Sequence, residues 1–419
     1  MITVIIAKPT KDCNADCSYC STPPDHEGGW SFEQFKVMFD RIHPQVSENA
    51  TWIWHGGEPM LLGPDFYVKT AAYAKSIKPN LKFALQSNLL LYTTNKWKKV
   101  FEDVFGGEIS TSYDPDAQNR TIKGSTEAYT RQFYKKMENV QRDGFRPLVI
   151  GTYTEETAHY ALKMYETSKA RGEQSFSLRY NYRYPAGRVK DAGPAIDPVT
   201  YGNMLNELYN KWMTDLPNFL ITPLDQMFLK CFDTTTSFCP WTNSCGGKFI
   251  SIDPNGDIYN CGEFGDLKNP DYRYGNLLEG WISTQKKKQI VNFHKKPSSE
   301  EKFGVEMMNT YPAKLMKRRK FDLPMSCKEC RHYEECEGGC MRDAELYEQG
   351  LGGKFFYCQS WKMVFDRMKI SILNGEADGI IKKMGFIPST VRKIVRSKAI
   401  NNGFFDKHPE AANITIKEV

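Results

Sequence analysis

Three cysteines stand together near the start of the chain: Cys13, Cys17 and Cys20, in the spacing C-x3-C-x2-C. No histidine lies among them, and thiolate-only sites select zinc, copper(I) or iron–sulfur clusters. The number three is informative. A structural zinc takes four protein ligands. A cubane [4Fe–4S] cluster on three thiolates keeps one iron open to an outside ligand. No cysteine falls between Cys20 and Cys231. Beyond Cys231 come Cys239, Cys245 and Cys261, then Cys327-x2-Cys330-x5-Cys336-x3-Cys340, and finally Cys358. These make twelve cysteines in 419 residues. The opening MITVIIAKPTKDC has no basic n-region and only a short apolar stretch, so it does not read as a secretory signal. A secreted disulfide framework is thereby excluded, and metal binding or redox chemistry is the expected use of the thiols.

Elements that could carry these residues alternate along the first half. Strand patterns are Ile2–Ala7, Thr51–His55, Lys82–Gln86, Glu108–Ser112, Pro147–Thr152 and Ser175–Tyr180. Helical patterns lie at Asp65–Ser76, Asn95–Phe105, Thr126–Arg142, Glu155–Arg171 and Pro198–Leu216. Ser31-x-x-Gln34 is a capping box ahead of the Phe32, Phe35, Phe39 stripe, and Asp197-Pro198 is an N-cap with proline at the first helical position. Six βα units predict a parallel sheet in a partial (β/α)6 TIM barrel, with chemistry at the C-terminal strand ends. Those ends carry His55-Gly56-Gly57-Glu58-Pro59, Gln86-Ser87-Asn88, Ser112 to Asp114 with Arg120 beyond, and Arg179-Tyr180-Asn181. Farther on, KFISIDPNGDIY (248–259) predicts a β-hairpin with a two-residue Asn255-Gly256 turn. It brings Cys245 and Cys261 to one end.

The triplet, with the aromatic Tyr19 before its third cysteine, resembles that of the radical S-adenosylmethionine (radical SAM) enzymes. That resemblance implies AdoMet chelated to the open iron and cleaved by one electron to methionine and a 5′-deoxyadenosyl radical, which takes a hydrogen atom from a substrate carbon. Gly56, Gly57, Glu58 and Pro59 resemble the family's GGEP motif, which contacts the AdoMet amino group. Gln86, Asn88 and Ser112 become candidate AdoMet contacts, and Arg120 resembles an arginine that contacts its ribose or carboxylate.

The later cysteines resemble the SPASM extension of a subset of these enzymes. Position by position, the resemblance implies one auxiliary [4Fe–4S] cluster on Cys239, Cys245, Cys261 and Cys340, and another on Cys327, Cys330, Cys336 and Cys358. With the triplet that makes three clusters, and Cys231 is left over, as a buried free thiol or as a redox or cluster-adjacent one. The expected divisions are a radical SAM barrel over 1–225, a SPASM domain over 226–369 and a helical C-terminal extension over 370–419.

The net charge of +6 is uneven, with eleven Lys or Arg against three Glu between Lys286 and Lys320. That stretch reads as a solvated surface insert, or as a docking surface for an acidic peptide or protein. No nucleic-acid fold motif accompanies it. No run reaches the roughly 18 apolar residues of a membrane span, so neither membrane nor nucleic acid is an expected partner.

The SPASM resemblance implies a cytoplasmic oxidoreductase that modifies a peptide or protein side chain, drawing electrons from a donor such as flavodoxin or ferredoxin. Anaerobic sulfatase-maturating enzymes, which make formylglycine, place an aspartate base directly after the cysteine equivalent to Cys261. Here the chain reads Gly262-Glu263. The favoured expectation is therefore a maturase of a ribosomally made precursor peptide that forms a carbon–carbon (cyclophane) or ether cross-link. Sulfatase maturation and thioether formation are the alternatives. With the first barrel strand at residue 2, leader recognition would fall to the basic insert, the tail or a separate leader-binding protein. Candidate catalytic groups are His55, Asp114, Tyr180 and Glu263.

Overall fold

The computed structural model describes the chain except residues 23, 25–27, 115–118, 173–174, 176, 193–194, 234–238, 242–244, 284–289, 293–306, 348 and 413–419. Most of the basic insert lies outside the described residues. The chain divides into two compact units, each assembled from three stretches.

The first unit comprises Met1–Ile150, Tyr184–Gly193 and Ser244–Arg318. Its centre is a parallel run of β1 (Ile2–Ala7), β2 (Val46–Trp54), β3 (Lys82–Gln86), β4 (Ile109–Ser112) and the start of β5 (Leu148–Tyr153). The helices α1 (Phe32–Ile42), α2 (Pro64–Ile77), α3 (Thr94–Asp103) and α4 (Thr126–Arg142) alternate with these strands. The capping box forms as expected: the Ser31 hydroxyl accepts from the Gln34 amide at 3.1 Å, and the Gln34 side chain accepts from the Ser31 amide at 2.8 Å. One strand face packs on the helices. There Trp52 and Trp54 meet Phe35 at ring separations of 5.5 and 5.7 Å, a large aromatic contribution to the core.

The hairpin strands β8 (Phe249–Ile252) and β9 (Asp257–Tyr259) extend this sheet, with β8 parallel to the free edge of β1. Asp253 and Asp257 still pair, their backbones joined at 2.9 Å, so the loop is Pro254-Asn255-Gly256 with Gly256 at φ 86°. It is a three-residue loop, not the expected two-residue turn, because the left-handed glycine closes a bulge. Short strands β10 (Gly275–Asn276), β11 (Trp281–Ser283) and β12 (Ile290–Asn292) continue the antiparallel edge.

The second unit comprises Gly151–Arg183, Pro194–Asn243 and Arg319–Val419. It holds the end of β5, then α5 (Ala161–Ala170), β6 (Ser177–Tyr182), α6 (Pro198–Asp215) and β7 (Leu220–Thr222), with β6 parallel to β7. Asp197 caps α6 by accepting from Val199 and Thr200. The α5 pattern is shorter than expected, since a 3-10 turn takes Ala158–Tyr160. β7 has three residues, too short to show a period. A cysteine-bearing segment leads into the helix Cys358–Asn374, and Pro388–Asn401 heads a helical tail. The fold class is thus the mixed α/β partial barrel with a cysteine-rich, helical C-terminal region.

Candidate active site

The loop after β1 that carries the three cysteines is held from three sides. After β2, the Gly57 amide donates to the Thr10 carbonyl (2.9 Å) and the Glu58 amide to the Asp12 carbonyl (2.8 Å). A Cβ on Gly56, at φ 112°, would lie 2.4 Å from the Thr10 carbonyl oxygen, and one on Gly57 2.3 Å from that of Asp12. The two glycines are needed because the cysteine loop's backbone lies against them. From the second side, the Asp16 amide donates to the Thr121 carbonyl (3.0 Å) and the Ser18 amide to that of Asn119 (2.8 Å). From the third, Arg188 donates its guanidinium to the carbonyls of Asp16 (3.0 Å) and Cys17 (2.9 Å), and its amide to that of Cys20 (3.0 Å). Sequence reasoning missed Arg188; nothing local marks a contact about 170 residues distant.

The Cys13, Cys17 and Cys20 thiols lie close enough to interact electrostatically. Burial pushes the Cys13 thiol up to about 12, so metal binding there must displace a proton. In the second unit, Cys327, Cys330, Cys336 and Cys358 interact in the same way. Among the described residues, no three His, Cys, Asp or Glu side chains close up enough to hold a single metal ion. Both sets are all-sulfur, the donor chemistry that suits an iron–sulfur group. Cys245 and Cys261 of the first unit both bear electrostatically on Tyr274. Cys231 is fully buried, and burial pushes its thiol up to about 12.

Strand register arranges the open face of the first unit. Half-exposed residues alternate with buried ones along β2, β3 and β4. Trp54 pairs with Leu85 and Gln86 with Ser110, while Ala7 pairs with Trp54. One residue on, Lys8, His55, Gln86 and Ser110 form a polar row across four strands. The Gln86 amide donates to the Ser112 hydroxyl at 3.0 Å. Burial, then Lys8, lowers the His55 pKa, and its Nδ1 accepts from the Gly56 amide at 2.8 Å. The ring is therefore neutral, with its proton on Nε2.

Glu58 is fully buried, and both oxygens of its carboxylate accept hydrogen bonds. It accepts from the Met60 amide (2.9 Å), the Ser87 hydroxyl (2.8 Å) and the Asn88 amide (2.8 Å). Asn88 in turn donates to Asn14 in the cysteine loop at 2.7 Å. Pro59 opens a 3-10 turn and accepts from the Tyr67 hydroxyl. Burial raises Glu58 from 4.5 to about 7. A carboxyl raised on folding stabilises the native state most below its unfolded value. Stability should therefore fall by roughly 3 kcal/mol as pH rises from about 4.5 to about 7. Denaturant unfolding across that range should show the slope, and Glu58→Gln should flatten it.

Asp114 is engaged otherwise than as a free acid or base. Its side chain is 1% exposed and accepts from Arg120 Nε at 2.8 Å and from the Tyr19 hydroxyl. The Arg120 guanidinium lies 5.3 Å from the Tyr19 ring centroid. The three form a brace beside the cysteine loop. Tyr180, in the second unit, falls in the buried series of β6. It is 0% exposed and stacks on Tyr153 at 5.6 Å, whereas Arg179 and Asn181 occupy the half-exposed series and bond each other at 3.2 Å. Its side chain thus lies on the packed face, contrary to the expectation that it meets substrate, because strand alternation sends adjacent residues to opposite faces.

Glu263 stands in the short helix α9 (Gly262–Leu267) that follows Cys261; its carboxylate bears electrostatically on Lys8 and His55 and accepts from the Tyr184 hydroxyl at 3.5 Å. In the second unit, the segment bearing Cys330 and Cys336 is tied to the helix Cys358–Asn374. Arg331 bonds Asp366 (2.6 Å), His332 Nε2 meets the same carboxylate (2.7 Å), and Lys369 pairs with Glu335 (2.8 Å).

No family model matches the chain. A cysteine-type anaerobic sulfatase-maturating enzyme of Clostridium novyi is 22% identical over 401 residues, covering 87% of this chain and 95% of the relative. A serine-type enzyme of Klebsiella aerogenes is 24% identical over 356 residues, covering 80% and 79%. Among solved structures, native anSMEcpe with bound AdoMet superposes at a TM-score of 0.71 with 19% identity over 90% of this chain and 99% of that one. Streptococcus suis SuiB bound to precursor peptide SuiA superposes at 0.58 with 12% identity, over 85% and 76%. These findings bear out the resemblance to radical SAM enzymes with a SPASM domain. No helix among the described residues is long and apolar enough to cross a membrane.

Proposed function

We propose that this radical SAM enzyme oxidises a side chain of a polypeptide substrate to an aldehyde, either a Ser directly or a Cys to a thioaldehyde that water then hydrolyses with loss of hydrogen sulfide. The full-length relatives act in sulfatase maturation, and solved relatives hold bound peptides, which supports a peptide substrate. The observation that carries the finer reading is the Glu263 carboxylate, two residues after Cys261, which bears electrostatically on Lys8 and His55 and accepts from the Tyr184 hydroxyl at 3.5 Å. It supplies an acceptor for the substrate proton although position 262 is glycine.

With clusters and AdoMet bound, the triplet's cluster would supply the 5′-deoxyadenosyl radical that abstracts a substrate hydrogen. Cys13, Cys17 and Cys20 would hold that cluster. The eight SPASM cysteines would hold two more, giving the electron left on the substrate an exit. The Gly56–Glu58 segment and Asn88 order the triplet loop. Gln86 and Ser112 present amide and hydroxyl groups to a polar ligand such as AdoMet. Glu263 takes the hydroxyl or thiol proton, and neutral His55 donates from Nε2. Asp114, Arg120 and Tyr19 act as a positioning brace. A protein donor such as flavodoxin or ferredoxin would supply the reducing electron, in an anaerobic cytoplasm.

A second reading, the side-chain cross-link of a precursor peptide, is favoured by one observation: glycine at 262, where sulfatase maturases carry their base. One experiment separates the two. Anaerobically reconstituted enzyme, AdoMet and dithionite are incubated with synthetic peptides bearing a single Cys or a single Ser. An aldehyde captured by a hydrazide probe supports the first reading. Cleavage of AdoMet without any carbonyl, and a cross-linked product from an aromatic-rich peptide, would overturn it.

A further inference from the structure

Lys8 was not singled out by its sequence context, yet it is the most enclosed cation of the open face. Its side chain is 1% exposed and donates to the Gly262 carbonyl at 2.7 Å and to Asp266 at 2.5 Å, with Asp253 at 3.7 Å. Asp266 also accepts from Thr22, two residues beyond Cys20, at 2.8 Å. Lys8 and Asp266 together join the cysteine loop, the end of β1 and the helix that follows Cys261. A buried ammonium is costly unless it is paired and hydrogen-bonded. Burial alone would lower its pKa, but Asp266 and Asp253 outweigh it and raise it, so Lys8 stays charged.

The contact also fixes α9 in place. A Cβ at Gly262 would lie 3.4 Å from Lys8 Cε and 3.6 Å from Ile6 Cγ2, so the helix start rests on the face of β1. Gly265 lies against Asp253, where a Cβ would come within 2.7 Å of its carboxylate. Glu263 is one residue from the carbonyl that Lys8 holds. Register sets Lys8 beside His55.

We propose that Lys8 is a positioning residue that pins the first turn of α9 to the cysteine loop and thereby sets where the Glu263 carboxylate stands over the open face. The inference rests on the proposed function for Glu263's role as base, but not for the pinning itself. A displacement of about 1 Å in a reacting group costs about 10²-fold in rate. Losing the pin should therefore slow product formation while AdoMet cleavage continues.

The test uses reconstituted full-length enzyme as Lys8→Met, Lys8→Arg and Asp266→Asn, with AdoMet, dithionite and the single-Cys peptide. In Lys8→Met, hydrogen exchange of the amides in 262–267 should speed up. The ratio of 5′-deoxyadenosine to product should rise about 10²-fold, with iron content and the KM for AdoMet unchanged. Lys8→Arg should recover part of the coupling, and Asp266→Asn should reproduce the faster exchange. Should Lys8→Met fail to fold, Asp266→Asn carries the test alone. Unchanged exchange in 262–267 overturns the pinning. Faster exchange with unchanged coupling overturns the link to Glu263. Normal turnover by Glu263→Gln with faster exchange in the Lys8 variant sinks the base assignment but leaves the pinning intact.

Discussion

Cys13→Ala is expected to abolish formation of 5′-deoxyadenosine. Three thiolates are the minimum that keeps one iron open for AdoMet, and with two the cluster has no stable seat. Cys13 also meets the Asn88 side chain, and its neighbours run through Asn14 to Glu58, so its loss also loosens the bridge between the loops after β1 and β3. Iron per chain should drop by about four of about twelve, and the auxiliary clusters should remain visible by electron paramagnetic resonance. Retention of AdoMet cleavage, or loss of all iron, would contradict a separate, open N-terminal site. Cys327→Ala is the control, expected to lower iron while sparing cleavage.

Glu263→Gln should separate the two halves of the reaction. A positioned general base contributes about 10²–10⁴-fold, so oxidised product should form that much more slowly. The 5′-deoxyadenosyl half, which needs no proton acceptor on α9, should proceed. The kinetic signature is a lower kcat for product at unchanged KM for AdoMet, the pattern of an interaction made only in the transition state. Equal product yield from Glu263→Gln would remove the carboxylate from the chemistry and return the cross-linking reading to first place.

Much of this was legible locally. Cysteine spacing is a short-range property, and so are the Ser31 and Asp197 caps, whose hydrogen bonds close within three residues. The βα alternation put His55, Gln86 and Ser112 at the C-terminal strand ends, and register then set His55 and Gln86 in one row and Ser112 beside Gln86. Tyr180 looked like a strand-end polar group because the strand was expected to close there; β6 runs on to Tyr182, and only packing showed Tyr180 to face Tyr153.

The sequence by itself determined the spacing of the Cys13, Cys17 and Cys20 triplet, the βα order and the polar strand ends, because each follows from a few residues; the auxiliary cysteine sets are implied by the resemblance alone. Only the tertiary structure decided what those groups do to one another. It turned Asp114 from a candidate catalyst into part of a brace with Arg120 and Tyr19. It made Gly56 and Gly57 seats for the cysteine loop, and it set β8 beside β1, so that a helix some 250 residues later rests on Lys8. A buried charge is stable only where its partners converge, and their convergence is a property of the folded chain, not of any stretch of it.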